Sequence, residues 1–190
     1  MGATGWSYED WRPGGARASF GDIMLDAEGD ILASGSVSLD KGMLNAESGG
    51  SIALGALTGI GNSDVVLNAT DGIAVNGVTL TGSSFNATAG TGVSLGVVSA
   101  IIKSAITARA GTDIAAGDVT LNDSSFTATA TGGNIALVSV NATAGSIATL
   151  TAGGNIAATG SVMLEAGTLN ATSSNGSVTM LASNACALKE

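Results

Sequence analysis

The sequence predicts an all-β fold, namely a parallel β-solenoid with about eight turns of roughly 20 residues each. Three observations predict it. Sequence elements return at a fixed interval, the residues between them alternate between apolar and polar side chains, and the composition lacks the large side chains of a layered core. Stacked copies of one short unit account for all three.

The longer interval is defined by two elements that recur four times each. A Val-x-Leu element recurs after 41, 41 and 43 residues, at Val37/Leu39, Val78/Leu80, Val119/Leu121 and Val162/Leu164. An apolar-x-Ala element keeps the same intervals, at Leu44/Ala46, Phe85/Ala87, Phe126/Ala128 and Leu169/Ala171. Each copy then continues to a β-branched residue, at Ile52, Val93, Ile135 and Val178.

A shorter interval divides each copy in two. A related apolar-x-Ala element precedes an isoleucine at Ile31, Ile73, Ile114 or Ile156, and its copies are Leu25/Ala27, Leu67/Ala69, Ile106/Ala108 and Leu150/Ala152. The offsets to the next element are 19, 18, 20 and 19 residues, which predict one turn for each half.

The composition fits a thin coil. The chain has 190 residues, of which 45% are hydrophobic and only 3% aromatic, with 29 glycines. A ring of Val, Ile, Leu, Phe and Ala in each turn fills such a coil without bulkier residues.

Residues 1–21 differ from the repeats, since they hold both tryptophans, the only tyrosine and the only proline. They are predicted to be an atypical N-terminal cap, a segment that docks onto a neighbouring chain, or a flexible leader. Large aromatic residues dominate interface energetics, so Trp6, Tyr8 and Trp11 are the candidate residues for an intersubunit contact.

Residues 22–180 are predicted to be the solenoid repeats, with short strands of alternating pattern. Residues 97–106 are interpreted as a strand with its corner, with a short helical insertion as the alternative. Gly, Asn and Asp tolerate positive φ and are therefore expected to make the corners, at Asp71-Gly72, Gly132-Gly133-Asn134, Gly153-Gly154-Asn155 and Asn175-Gly176.

Four Asn-Ala-Thr triplets have two interpretations. Stacked asparagines would form an amide ladder, and the same triplets are acceptors for N-glycosylation; they begin at Asn68, Asn86, Asn141 and Asn170. Residues 181–190 are predicted to be a C-terminal tail or cap. Their Cys186, the only cysteine, is either an incidental thiol or a link between two chains.

Turns of this length with Leu-x-Ala, Gly-Gly-Asn-Ile and Gly-Ser-Val-x-Leu phrases resemble the haemagglutinin-type repeats of large bacterial secreted adhesins, over about residues 22–180. The resemblance implies a right-handed parallel β-helix that forms a shaft at the cell surface. The secretion-domain sequences Asn-Pro-Asn-Leu and Asn-Pro-Asn-Gly are missing from this chain.

Several functions are disfavoured by the composition. A net charge of −9 does not suit nucleic acid, and no apolar run of about 18 residues predicts a membrane span. The chain has no histidine, so catalysis would depend mainly on carboxylates. A polysaccharide-active β-helix enzyme would need acidic side chains that converge on one groove. The acidic residues near Arg109 are Asp113, Asp118 and Asp123, and their spacing is more consistent with solvated corners.

We therefore expect a non-enzymatic structural protein outside the cell or at its surface, with no cofactor and no metal. It is either the rigid shaft of an adhesin, with a host or neighbouring cell surface as partner, or a subunit that associates end to end into an extracellular fibre.

Overall fold

The structure is a computed structural model, which describes residues 6–7, 16–19 and 21–181, with side chains from residue 21 onward. Its strands in the first half of the chain are β1 (Trp6–Ser7), β2 (Ala16–Ser19), β3 (Asp22–Ala27), β4 (Ile31–Ala33), β5 (Val37–Asp40), β6 (Met43–Ser48), β7 (Ile52–Ile60), β8 (Asp64–Ala69), β9 (Ile73–Thr81) and β10 (Ser84–Ala89). The others are β11 (Val93–Ile101), β12 (Ala105–Ala110), β13 (Ile114–Asn122), β14 (Ser125–Ala130), β15 (Ile135–Thr143), β16 (Ile147–Ala152), β17 (Ile156–Ala158), β18 (Val162–Glu165), β19 (Thr168–Ser173) and β20 (Val178–Met180).

These strands form two parallel sheets that the chain visits alternately. Sheet A has the order β1-β3-β6-β8-β10-β12-β14-β16-β19. Sheet B has the order β2-β5-β7-β9-β11-β13-β15-β17-β20, with β4 on β7 and β18 on β15. From β3 onward, successive strands of sheet A begin 20 to 22 residues apart. The predicted all-β parallel solenoid of about eight turns is confirmed.

Each coil has three faces, because the long strands of sheet B bend at their centre. In β9, Ile73 and Val75 are buried, the next two residues both lie outside the core, and Val78 and Leu80 are buried again. A straight strand alternates without a break, so two successive outward residues mark a corner. Two coils have two short strands here in place of one long strand, namely β4 and β5 next to β7, and β17 and β18 next to β15. The break between the two short strands lies at this same corner.

The core consists of inward-pointing columns, in each of which residues from successive coils stack. The isoleucine positions predicted from the sequence form one unbroken column: Ile31, Ile52, Ile73, Val93, Ile114, Ile135, Ile156 and Val178. Phe85 and Phe126 belong to a column on sheet A and are fully buried. Both predicted intervals thus describe stacking along the solenoid axis.

The register within sheet A corrects three of the four shorter offsets. Ile106 pairs with Phe126, as its offset of 20 predicts. Leu25, Leu67 and Leu150 instead pair with alanines two residues beyond the expected partners, at Ala46, Ala87 and Ala171. The error arises because strand side chains have a period of two, so a slip of two residues keeps the same face inward.

Residues 97–106 form the end of β11, a corner and the start of β12, as predicted. The helical alternative is wrong. Ile102 and Lys103 at this corner have φ of 56° and 57°. From β5 onward, the equivalent corner of each coil also contains residues of positive φ; we call it the left-handed corner, and its residues are Lys41, Gly61, Asn62, Gly82, Ile102, Lys103, Asp123, Ala144, Gly145 and Ala166.

The corners predicted at the Gly, Asn and Asp segments are confirmed, but positive φ is not the reason for them. These segments do connect sheet A to sheet B, but none of their residues has positive φ. Close packing between coils instead requires glycine at several of these positions, although a Cβ on Gly72 would make only ordinary contacts at 3.5 Å. A Cβ on Gly176 would lie 2.6 Å from the carbonyl carbon of Gly154, and one on Gly133 would lie 2.6 Å from that of Thr112.

Candidate functional site

A ladder of buried serines, which the sequence reading missed, follows the left-handed corner. Its members are Ser63, Ser83, Ser104, Ser124 and Ser146. The backbone N–H of each of the first four donates to the hydroxyl of the serine in the next coil, over N···Oγ distances of 3.1 to 3.3 Å. Each hydroxyl donates to a carbonyl two or three residues earlier in its own coil, at 2.5 to 3.0 Å. The ladder satisfies buried backbone groups and is structural.

A second ladder lies where sheet A leads into sheet B, and we call it the Asx ladder. Asp113 Oδ1 accepts from the backbone N–H of Asn134 at 2.7 Å, and Asn134 Oδ1 accepts from that of Asn155 at 2.8 Å. Asn155 Oδ1 then accepts from Ser177 N–H at 2.9 Å. In the first coils, Asp30 accepts from Ser51 N–H in the same way. Asp and Asn side chains here join the first coil to the second, and Asp113, Asn134 and Asn155 join the last four coils, whereas Gly72 and Gly92 occupy the equivalent position between them.

The predicted amide ladder of the Asn-Ala-Thr triplets is wrong. Asn68 pairs with Glu47 and Thr88, Asn86 with Val66 and Thr107, Asn141 with Thr120 and Met163, and Asn170 with Thr149. No two of these asparagines are therefore neighbours. The side chains of Asn68, Asn86 and Asn170 are exposed on sheet A, whereas Asn141 is half-buried on sheet B. Their glycosylation stays a prediction.

The acids considered for a catalytic site lie at three different corners of one coil. Asp113 belongs to the Asx ladder, and Asp118 lies at the bend of β13, where its Oδ1 accepts from the Ser139 hydroxyl at 2.6 Å. Asp123 lies at the left-handed corner. All three carboxylates are exposed, as is Arg109 on sheet A. The coil thus separates them around its circumference.

The candidate contact residues near the ends lie mostly outside the described part of the chain. Tyr8, Trp11 and Cys186 are among the residues that the structure does not describe. The backbone of Trp6 belongs to β1 and pairs with Leu25 of β3. Their proposed roles, and the boundaries of the end segments, stay predictions.

The outward face of sheet A carries a polar ladder that the sequence reading also missed. Its residues occupy the same position in successive coils and pair directly; they are Asp26, Glu47, Asn68, Thr88 and Arg109. The first four line a groove of about 530 Å³ together with Ser48 and Thr70. Within residues 21–181, the side chains of these four make no hydrogen bond or ion pair. Their polar atoms therefore face solvent.

A second groove, of about 430 Å³, lies on the first half of the sheet B strands. Its outward residues include Ala53, Ala74, Ser94 and Ala115, and Asp113 lies at its edge. Because Asp113 is already engaged with Asn134, this groove offers few polar groups to a ligand.

The last described coil differs from the inner coils in burial. Val178 is 45% exposed, whereas Ile156 below it in the same column is fully buried. Leu169, Ala171 and Met180 are likewise only partly buried. Among the described residues, nothing covers this end of the core as each inner coil covers its neighbour.

The described residues contain neither a candidate metal site nor a candidate membrane-spanning helix. No group of three or more Cys, Asp or Glu side chains within them could hold a metal ion. The same residues include no helix that is long and apolar enough to cross a membrane.

Comparisons with protein-family models, with curated proteins and with solved structures each found no match to this chain.

Proposed function

We propose that this chain is a non-enzymatic structural element, the rigid shaft of a bacterial cell-surface or secreted adhesin. The observation that carries the proposal is the unbroken register of the solenoid. One inward column continues from Ile31 to Val178, and the ladders at two corners join the coils by hydrogen bonds. A stack of this kind has only nearest-neighbour contacts and extends in one direction, as a spacer must.

The dimensions and the surface support the same role. Eight coils separated by about 4.8 Å give a rod about 38 Å long. The acids around Arg109 are distributed over three corners, which suits solvation of a rod better than chemistry at one point. The repeat phrases that resemble haemagglutinin-type adhesins supply the adhesive part of the proposal.

The proposal is tested in the producing bacterium with antibodies against the chain. We expect antibodies to label intact cells, external protease to remove the label, and deletion of the gene to lower attachment to surfaces. A periplasmic or cytoplasmic protein serves as the control for cell integrity. Labelling that requires lysis, or unchanged attachment in the deletion strain, would contradict an adhesive shaft.

A second candidate function is a subunit of an extracellular fibre that assembles end to end. The half-exposed core of the last described coil favours it, since an open strand edge with uncovered apolar residues can accept another parallel strand. The two functions differ in whether the rods grow with concentration.

A further inference from the structure

The polar ladder places four hydrogen-bond acceptor groups, of three chemical kinds, in a row along the solenoid axis. Two carboxylates, one amide and one hydroxyl, on Asp26, Glu47, Asn68 and Thr88, follow one another in adjacent strands of sheet A. Neighbouring strands are about 4.8 Å apart, so the row extends about 14 Å. The strands hold the row in register, and its side chains have no competing partner among the described residues.

We propose that this groove binds a linear polysaccharide that carries amino groups, with the sugar chain parallel to the solenoid axis. The role goes beyond a shaft, because a rod can be rigid without binding a glycan. The step from one strand to the next is comparable with the length of one sugar ring in an extended chain. Each ladder residue therefore meets a successive sugar.

Charge decides which class of polysaccharide fits. Asp26 and Glu47 are directly paired neighbours, and Glu28 and Asp30 follow Asp26 in the chain. Arg109 follows Thr88 in the next strand, outside the residues that line the groove, and is itself followed by Thr129. The acidic end attracts ammonium groups and repels an anionic glycan. Asn68 and Thr88 can accept hydrogen bonds from sugar hydroxyls at the other end.

The test uses the unglycosylated full-length chain and a chitosan hexamer, whose six sugars carry free amines. Binding is measured by titration calorimetry at low and high salt. We expect binding that weakens as salt rises, because exposed ion pairs are screened. The variant Asp26→Asn/Glu47→Gln should lower the affinity about tenfold, since it removes two exposed charge pairs.

The control variant is Asp123→Asn, which removes one acid at the left-handed corner, where Asn also tolerates the positive φ. It should bind the hexamer like the unaltered chain. Circular dichroism should give the same spectrum and melting temperature for all three proteins. Two results would overturn the proposal, namely no binding of the hexamer at low salt, or equal loss in the control and the ladder variant. Equal affinity for the N-acetylated hexamer or for oligogalacturonate would overturn the choice of an amino polysaccharide.

Discussion

Several glycines between sheet A and sheet B are required by contact between coils. A Cβ added to Gly111 would clash with the carbonyl group of Gly90 in the preceding coil. It would lie 3.1 Å from the carbonyl carbon. Such a contact involves two rigid backbones, so no side-chain rotation can relieve it. Gly29 makes a useful contrast, because a Cβ there would meet no atom within 4 Å.

We expect Gly111→Ala to lower the free energy of unfolding by about 1 to 3 kcal/mol, because the added methyl group pushes two coils apart. The matched change Gly29→Ala should leave it unchanged or raise it by up to ~1 kcal/mol, through the lower entropy of the unfolded chain. Urea denaturation followed by circular dichroism measures both. Equal stability of the two variants would contradict the close-contact explanation.

At the level of the strands, the serines of the ladder lie just before the strands of sheet A and connect adjacent coils through buried hydrogen bonds. Ser104 Oγ accepts from Ser83 N–H at 3.3 Å and donates to the carbonyl of Ile101 at 2.6 Å. We expect Ser104→Ala to cost about 1 to 3 kcal/mol, because the buried N–H of Ser83 loses its acceptor. Ser94→Ala, an exposed change in β11, is the control and should be nearly neutral. A Ser104→Ala protein as stable as the control would show that the ladder contributes nothing.

Whether an element could be predicted from the sequence depends on whether its repeated residues are apolar. The inward columns could be predicted because Ile and Val recur at one position in each turn. The serine ladder could not be recognised in the same way, since Ser is as common in exposed corners as Gly or Asn. The positions with positive φ could not be predicted from the sequence either, because Ile and Ala rarely adopt positive φ, yet Ile102, Ala144 and Ala166 do so here.

The polar ladder was present in the sequence but needed the correct register to be recognised. Each of its residues stands five positions before a member of the isoleucine column, as Asp26 does before Ile31 and Asn68 does before Ile73. The offsets of 18 and 19 residues obscured this relation, because they aligned Leu25 and Leu67 with the wrong partners. Parallel pairing then converts equal positions in the repeat into neighbours in space.

At the scale of the whole molecule, the two ends of the solenoid are not equivalent. The last described coil leaves Val178 and Leu169 partly uncovered. At the other end, β1 pairs with β3 and β2 pairs with β5, so the chain's own strands already occupy edges of the first coil. End-to-end growth would have to displace these strands or build on them. The joint would therefore have to form between two unlike faces, the partly uncovered core of the last described coil and the end that carries β1 and β2.

We accordingly expect the purified full-length chain to remain a dispersed short rod. Electron microscopy over a dilution series, with light scattering alongside, should show particles about 40 Å long whose mass does not change with concentration. A reduced and a non-reduced sample provide the control for links through Cys186. Filaments that lengthen with concentration would overturn the shaft and establish a fibre subunit, because only an open joint at both ends allows heterologous contacts to continue without closing.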